Sequence, residues 1–160
     1  MPYQAWMFLH QLGVIVFFAN LVAALFWRSR AEATNDPRVL AFAYRTLNLG
    51  DKWLTPPSVG LIVAGGVGAS LQVRLPILST GWVLWSILLF SVSGLLFGLR
   101  ALPRQKALAA HAEAGVRDGN FDLATHRRLA REWAFWSHLS LLAAAAVLPL
   151  MVFRPGVPGM

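Results

Sequence analysis

Four apolar runs, each about as long as a membrane-crossing helix, decide what this chain can fold into. Tyr3–Trp27, Trp53–Val73, Ile77–Leu99 and Trp133–Phe153 contain no Lys, Arg, Asp or Glu. About 20 mainly apolar residues are what a helix needs to cross roughly 30 Å of hydrocarbon. Hydrophobic residues make up 57% of the chain and charged residues 13%, about half the charged share of ordinary soluble domains. The sequence therefore predicts an all-α, polytopic membrane protein. It has one membrane domain, an antiparallel bundle of four transmembrane helices with short cytoplasmic amphipathic helices between them.

The charges orient the spans. Loop 28–52 holds five Lys/Arg and loop 100–132 holds seven, leaving only Arg74 and Arg154 elsewhere. Short loops rich in Lys and Arg stay in the cytoplasm. Both chain ends are then expected outside, which in the inner membrane of a bacterium means the periplasm. The net charge of +7 points to membrane lipid with anionic headgroups, and not to nucleic acid, because the cations cluster in those loops. The MPYQAW start has no Lys or Arg and leads into a run longer than a signal core, so it is not expected to be a cleaved signal. Cysteine is absent, which removes disulfides and thiolate chemistry.

Local patterns fill in the loops. In DPRVLAFAYRTLNL, Val39, Leu40, Ala43 and Leu47 recur at helical spacing, predicting a short helix on the membrane surface with Asp36 as its cap and Pro37 at its first position. Asn120 or Asp122 can cap a helix that runs into span four. QVRLP is a tight link, predicting a hairpin of spans two and three. Thr55-Pro56-Pro57 opens span two, where proline costs little. Pro149 is expected to kink span four. Tyr3, Trp6, Trp27, Trp53, Trp82 and Trp133 fall where an interfacial aromatic belt would lie. Gly60, Ala64 and Gly68, and Gly94 with Gly98, recur every four residues and are expected to mark helix contacts inside the bundle, with a dimer face as the alternative. On span one, Trp6, His10, Gly13, Phe17, Asn20 and Ala24 share a face assigned to the interior, while Leu12, Ile15, Leu21 and Val22 face lipid.

His10 is the leading candidate for chemistry. It lies roughly 10 Å below the outer surface at 1.5 Å per residue, and an ionisable group in a span is a functional candidate by default. Three roles stay open: a neutral ring bonded to a neighbouring helix, a haem or metal ligand, or a proton relay. His138, in span four near the inner side, is expected roughly 10–15 Å away in depth, too far for both to ligate one iron. It reads as a buried, hydrogen-bonded ring or as a group reaching toward the inner interface. Asn20 reads as an interhelical hydrogen-bonding residue. Asp51 reads as a surface pair with Lys52 or an acid near a helix N-terminus. His126, Arg127 and Arg128 read as a solvated or headgroup-facing surface, and His111 lies in the same charged loop. The chain has no HExxH, phosphate loop, dinucleotide fingerprint or serine elbow.

Taken in order, His10, LGDKWLTPPSVGLIVAGG, GWVLWSILLF, RRLAREW and LPLMVFRP resemble a bacterial family of predicted four-helix integral membrane proteins of unknown function. That family is distantly similar to copper-resistance D-type membrane proteins and to haem-containing membrane protoporphyrinogen oxidases. The resemblance implies a four-helix inner-membrane protein in which His10 matches a first-span histidine implicated with haem b. Where the oxidases have Trp followed four residues later by Lys on span three, this chain has Trp82 and Ser86, so oxidation of that particular substrate is not implied. Four scattered methionines and no cysteine give no soft-ligand path for copper.

Two functions follow as expectations. One is a redox or haem-binding membrane protein with His10 as a single axial ligand. The other is a non-catalytic scaffold or accessory subunit, with a second copy or a membrane-complex partner covering part of its surface. A small transporter is the weakest reading, since His10, Asn20 and His138 do not line a path.

Overall fold

A computed structural model describes residues 1–159, and every regular element among them is helical. In chain order these are α1 (Tyr3–Glu32), α2 (Pro37–Trp53), α3 (Thr55–Gln72), α4 (Gly81–Leu96), a π-helical segment (Phe97–Ala101), α5 (Leu102–Asp118), α6 (Leu123–Ala145) and α7 (Val147–Phe153). Four continuous helical stretches are long and apolar enough to cross a membrane: Tyr3–Glu32, Pro37–Gln72, Gly81–Asp118 and Leu123–Phe153.

The helix boundaries follow local chemistry. Asp36 caps α2 by accepting the Arg38 N–H at 2.8 Å, with Pro37 first in the helix. Asp122 caps α6 by accepting the N–H groups of Ala124 and Thr125 at 2.9 and 3.2 Å. Pro56 and Pro57 cannot donate to the carbonyls of Lys52 and Trp53, so α2 ends at Trp53 and α3 restarts at Thr55. Pro103 and Pro149 act similarly. The first lies just beyond the π-helical segment, and the second lies three residues beyond the break at Ala146.

The chain divides into two compact units. The first comprises Met1–Arg74 and Gln105–Arg127. Here α1 runs antiparallel to α2 and α3 along their combined length. Arg28 and Glu32 meet Tyr44, Asn20 meets Asp51 and Thr55, His10 meets Ile62, and Trp6 lies against Gly68. The segment expected on the membrane surface is thus α2 packed along the C-terminal half of α1. Its apolar face, with Leu40, Tyr44 and Leu47, is buried by protein. The expected interior stripe of α1 holds: Gly13 and Phe17 are buried, while Ile15 and Val22 are exposed.

The glycine seam is a correction. A Cβ at Gly13 would stand 2.8 Å from Ile62 N and Ser58 O, and one at Gly65 would stand 2.5 Å from His10 N. The packed set on α3 is Ser58, Gly65, Gly68 and Ala69. Gly60 has open space around it, and Ala64 is exposed. A strict four-residue repeat drifts about 40° per step around a helix, whereas mixed steps of three and four stay on one face. Among the described residues Gly94 and Gly98 also have nothing within 4 Å of an added Cβ, so they mark no contact within their own unit.

The second unit comprises Leu75–Arg104 and residues 128–159. In it α4 runs antiparallel to α6 and α7. Ser93 and Ser140 exchange hydroxyl-to-carbonyl hydrogen bonds at 2.8 and 2.9 Å. At one end Arg154 lies 5.3 Å over the Trp82 ring, and Trp85 Nε1 donates to Pro158 O at 3.1 Å. At the other, Arg104 pairs with Glu132 at 3.2 Å, and Arg100 lies 5.3 Å over the Trp136 ring. Of the tryptophans assigned to an interfacial belt, Trp133 is 2% exposed and packs inside this unit, whereas Trp27 and Trp53 are exposed.

Candidate functional site

The α1/α3 contact positions His10. Gly65 lets the backbones approach, and Gly66 leaves room for the ring, since a Cβ there would stand 3.1 Å from His10 Nδ1. Nδ1 lies 2.7 Å from Ile62 O. A carbonyl can only accept, so Nδ1 carries the proton. The lone pair of the neutral ring is then on Nε2. A backbone carbonyl on one ring nitrogen is the usual support for a histidine that binds a metal through the other. Among the described residues no three His, Asp or Glu side chains converge as a metal-binding group, so a metal at His10 would need most of its ligands from elsewhere, as haem iron has from its porphyrin.

Asn20, twelve residues before the end of α1, joins a second cluster. Its Nδ2 faces Asp51 Oδ1 at 3.5 Å and Thr55 Oγ1 at 3.3 Å. Gln105, 1% exposed, donates from Nε2 to Asp51 Oδ2 at 2.6 Å and to Asn48 Oδ1 at 3.1 Å. Asp51 therefore does not form the expected surface pair, and it lies near the C-terminus of α2 and not at a helix start. Lys52 instead lies 5.5 Å over the Trp53 ring.

Of the two readings of His138, the buried ring does not hold. The residue is exposed, and its Nδ1 bonds to Ala134 O, one turn back on its own helix, at 2.6 Å. Among the described residues it makes no hydrogen bond to a neighbouring helix.

A third cluster was not legible in the sequence. His126, expected on a solvated surface, is 0% exposed. Its Nε2 lies 3.1 Å from Glu32 Oε1, and Tyr44 donates to the same oxygen at 2.5 Å. The rings of Tyr44, Phe121 and His111 enclose it at centroid distances of 5.8, 5.3 and 6.0 Å. Among the described residues its Nδ1 has no hydrogen-bond partner. Arg127, next in sequence, points away and bonds to Asn35 Oδ1 at 3.1 Å. Burial pushes the Glu32 carboxyl up, but hydrogen bonds from His126 and Tyr44 and the charge of Arg28 outweigh it and hold it below the usual range. Burial and the neighbouring Glu32 charge push the Tyr44 hydroxyl up, so it stays protonated and donating. Two cues existed: Tyr44 continues the apolar face of Leu40 and Leu47, and Glu32 is the one acid beside Arg28 and Arg30. Neither named His126 as the partner.

The chain belongs to the family of predicted integral membrane proteins known as DUF2269, whose model matches residues 5–155. No curated protein and no solved structure matches it. The chain is accordingly an integral membrane protein with four candidate spans.

Proposed function

We propose that the protein is a redox protein of the bacterial inner membrane in which His10 is the single axial ligand of a haem b iron. The observation that carries this reading is the 2.7 Å contact from His10 Nδ1 to Ile62 O. It fixes the tautomer with Nε2 as the free donor and orients the ring against α3. Gly66 leaves the Nδ1 edge of the ring without a side chain against it. The haem would supply one-electron transfer within the membrane. The part played by this chain is to engage Nδ1 at Ile62 O, which leaves Nε2 as the ring nitrogen available within an apolar span. The resemblance read from the sequence motifs implies the same role for His10.

The orientation belongs to this proposal. The two basic loops, 28–52 and 100–132, lie in the cytoplasm and both chain ends in the periplasm, on the strength of the Lys/Arg distribution. His10 is then nearer the periplasmic face. The test is haem content of the purified protein, measured after expression with a haem precursor. A stoichiometric b-type chromophore is expected; protein that is folded and haem-free under those conditions rejects the proposal.

A second reading is favoured by one observation. Gly94 and Gly98 present a bare helix face that meets nothing among the described residues of its own unit, as an accessory subunit would present to a partner helix. A partner that co-purifies and is lost on Gly94→Leu, with no chromophore present, would favour this reading over the first.

A further inference from the structure

Asp51 is a carboxylate held mainly by neutral amides. Its two oxygens face the Nδ2 of Asn20 and the Nε2 of Gln105, and among the described residues no Lys, Arg or His lies within ion-pairing distance of it. Asn48 Oδ1 shares the Gln105 Nε2 group with Asp51 Oδ2, so these two oxygens converge on one point. Thr55 Oγ1 and Asp51 Oδ1 likewise share the Asn20 Nδ2 group, at 3.3 and 3.5 Å. Four oxygens from α2 and α3 thus form two pairs, joined through the Asp51 carboxylate, each around an amide donor that carries no charge.

The backbone has the same bias. The cluster sits at the break between α2 and α3, where the negative end of the α2 dipole lies. Pro56 and Pro57 deny the Lys52 and Trp53 carbonyls their helical partners. Interrupted membrane helices use such freed carbonyls and helix C-termini, with side-chain oxygens, to coordinate small cations.

We propose that Asp51, Asn48 and Thr55, with Asn20 able to turn its amide oxygen inward, form a binding site for a monovalent cation the size of Na⁺. One carboxylate matches one positive charge, and no second acid is present to favour a divalent ion. The long contacts of Asn20 mark the side of the cluster that is least tightly held, and Gly50 leaves its Oδ1 room, since a Cβ there would stand 2.9 Å away. Rotating that amide exchanges a donor for an acceptor without moving the helices.

The full chain in detergent is melted by tryptophan fluorescence at constant pH and ionic strength, with choline replaced stepwise by Na⁺, and separately by K⁺. Na⁺ or K⁺ is expected to raise Tm along a saturating curve, by about 3 °C at ten times the half-saturating concentration. Asp51→Asn should melt at a temperature independent of the ion. If that variant does not fold, Thr55→Val and Asn48→Ala should each move half-saturation at least fivefold higher. Identical melting of the wild type in choline, Na⁺ and K⁺ overturns the proposal, as does an ion response retained at full size in a folded Asp51→Asn.

Discussion

His126 Nε2 lies 3.1 Å from Glu32 Oε1 across 94 residues of chain, with the histidine wholly enclosed. This bond ties the first turns of α6 to the end of α1. His126→Phe keeps a ring among Phe121, His111 and Tyr44 but cannot donate to the carboxylate. It should cost about 1–3 kcal/mol, the range for stranding one partner of a buried hydrogen bond. Denaturant or thermal unfolding in detergent measures it, and an unchanged midpoint would show that the bond contributes nothing.

The same carboxylate sets an acid limit. Glu32 titrates below its ordinary value of 4.5 because donors from His126 and Tyr44, with Arg28 nearby, outweigh its burial. A carboxyl with a lower pKa folded than unfolded adds stability above the unfolded value, and that stability is lost as pH falls through the folded one. The melting-temperature gap between wild type and Glu32→Gln should therefore be largest near neutrality and shrink on acidification below about pH 4.5. A gap that stays constant through that range would remove Glu32 as the titrating group.

The helix contact between α1 and α3 depends on bare backbone. Gly65→Ala would bring a Cβ to 2.5 Å from His10 N and should destabilise by about 1–3 kcal/mol, as overpacking does. Gly94→Ala and Gly98→Ala meet nothing and should leave the isolated chain unchanged or raise its stability by about 0.5–1 kcal/mol through helix propensity. Equal losses at all three positions would mean that Gly94 and Gly98 are packed after all.

Orientation can be read with single cysteines, because the chain has none of its own. Ser79→Cys, in the exposed link before α4, should react with a membrane-impermeant maleimide added to intact cells. Lys106→Cys, exposed on α5, should react only after the membrane is opened. The reverse pattern would invert the assigned topology.

How much of this was legible in the sequence depended on the range of the interaction. The caps by Asp36 and Asp122, the break before Thr55 and the interior stripe of α1 are local, and residue type and spacing within a turn or two determine them. The α3 seam was misplaced by a few residues because a four-residue glycine repeat is easy to see, whereas the packed set of Ser58, Gly65, Gly68 and Ala69 is defined by what α1 presents opposite. His126 and Gln105 were missed for a stronger reason. Each lies in a charged loop whose composition suggests solvent, and each is buried by a partner more than fifty residues away, as 94 for His126 and 54 for Gln105 with Asp51. His10 was picked out because a lone ring in an apolar span is conspicuous. Its hydrogen bond to Ile62, which decides the nitrogen available for chemistry, needed the fold.

The most direct test of the redox proposal is a reduced-minus-oxidised absorption spectrum of the haem-supplemented, purified protein, recorded beside His10→Ala and His138→Ala. The account predicts a b-type difference spectrum in the wild type and in His138→Ala, lost or strongly shifted in His10→Ala while that variant still melts cooperatively. A featureless spectrum from folded wild type, or one unchanged in His10→Ala, would contradict it.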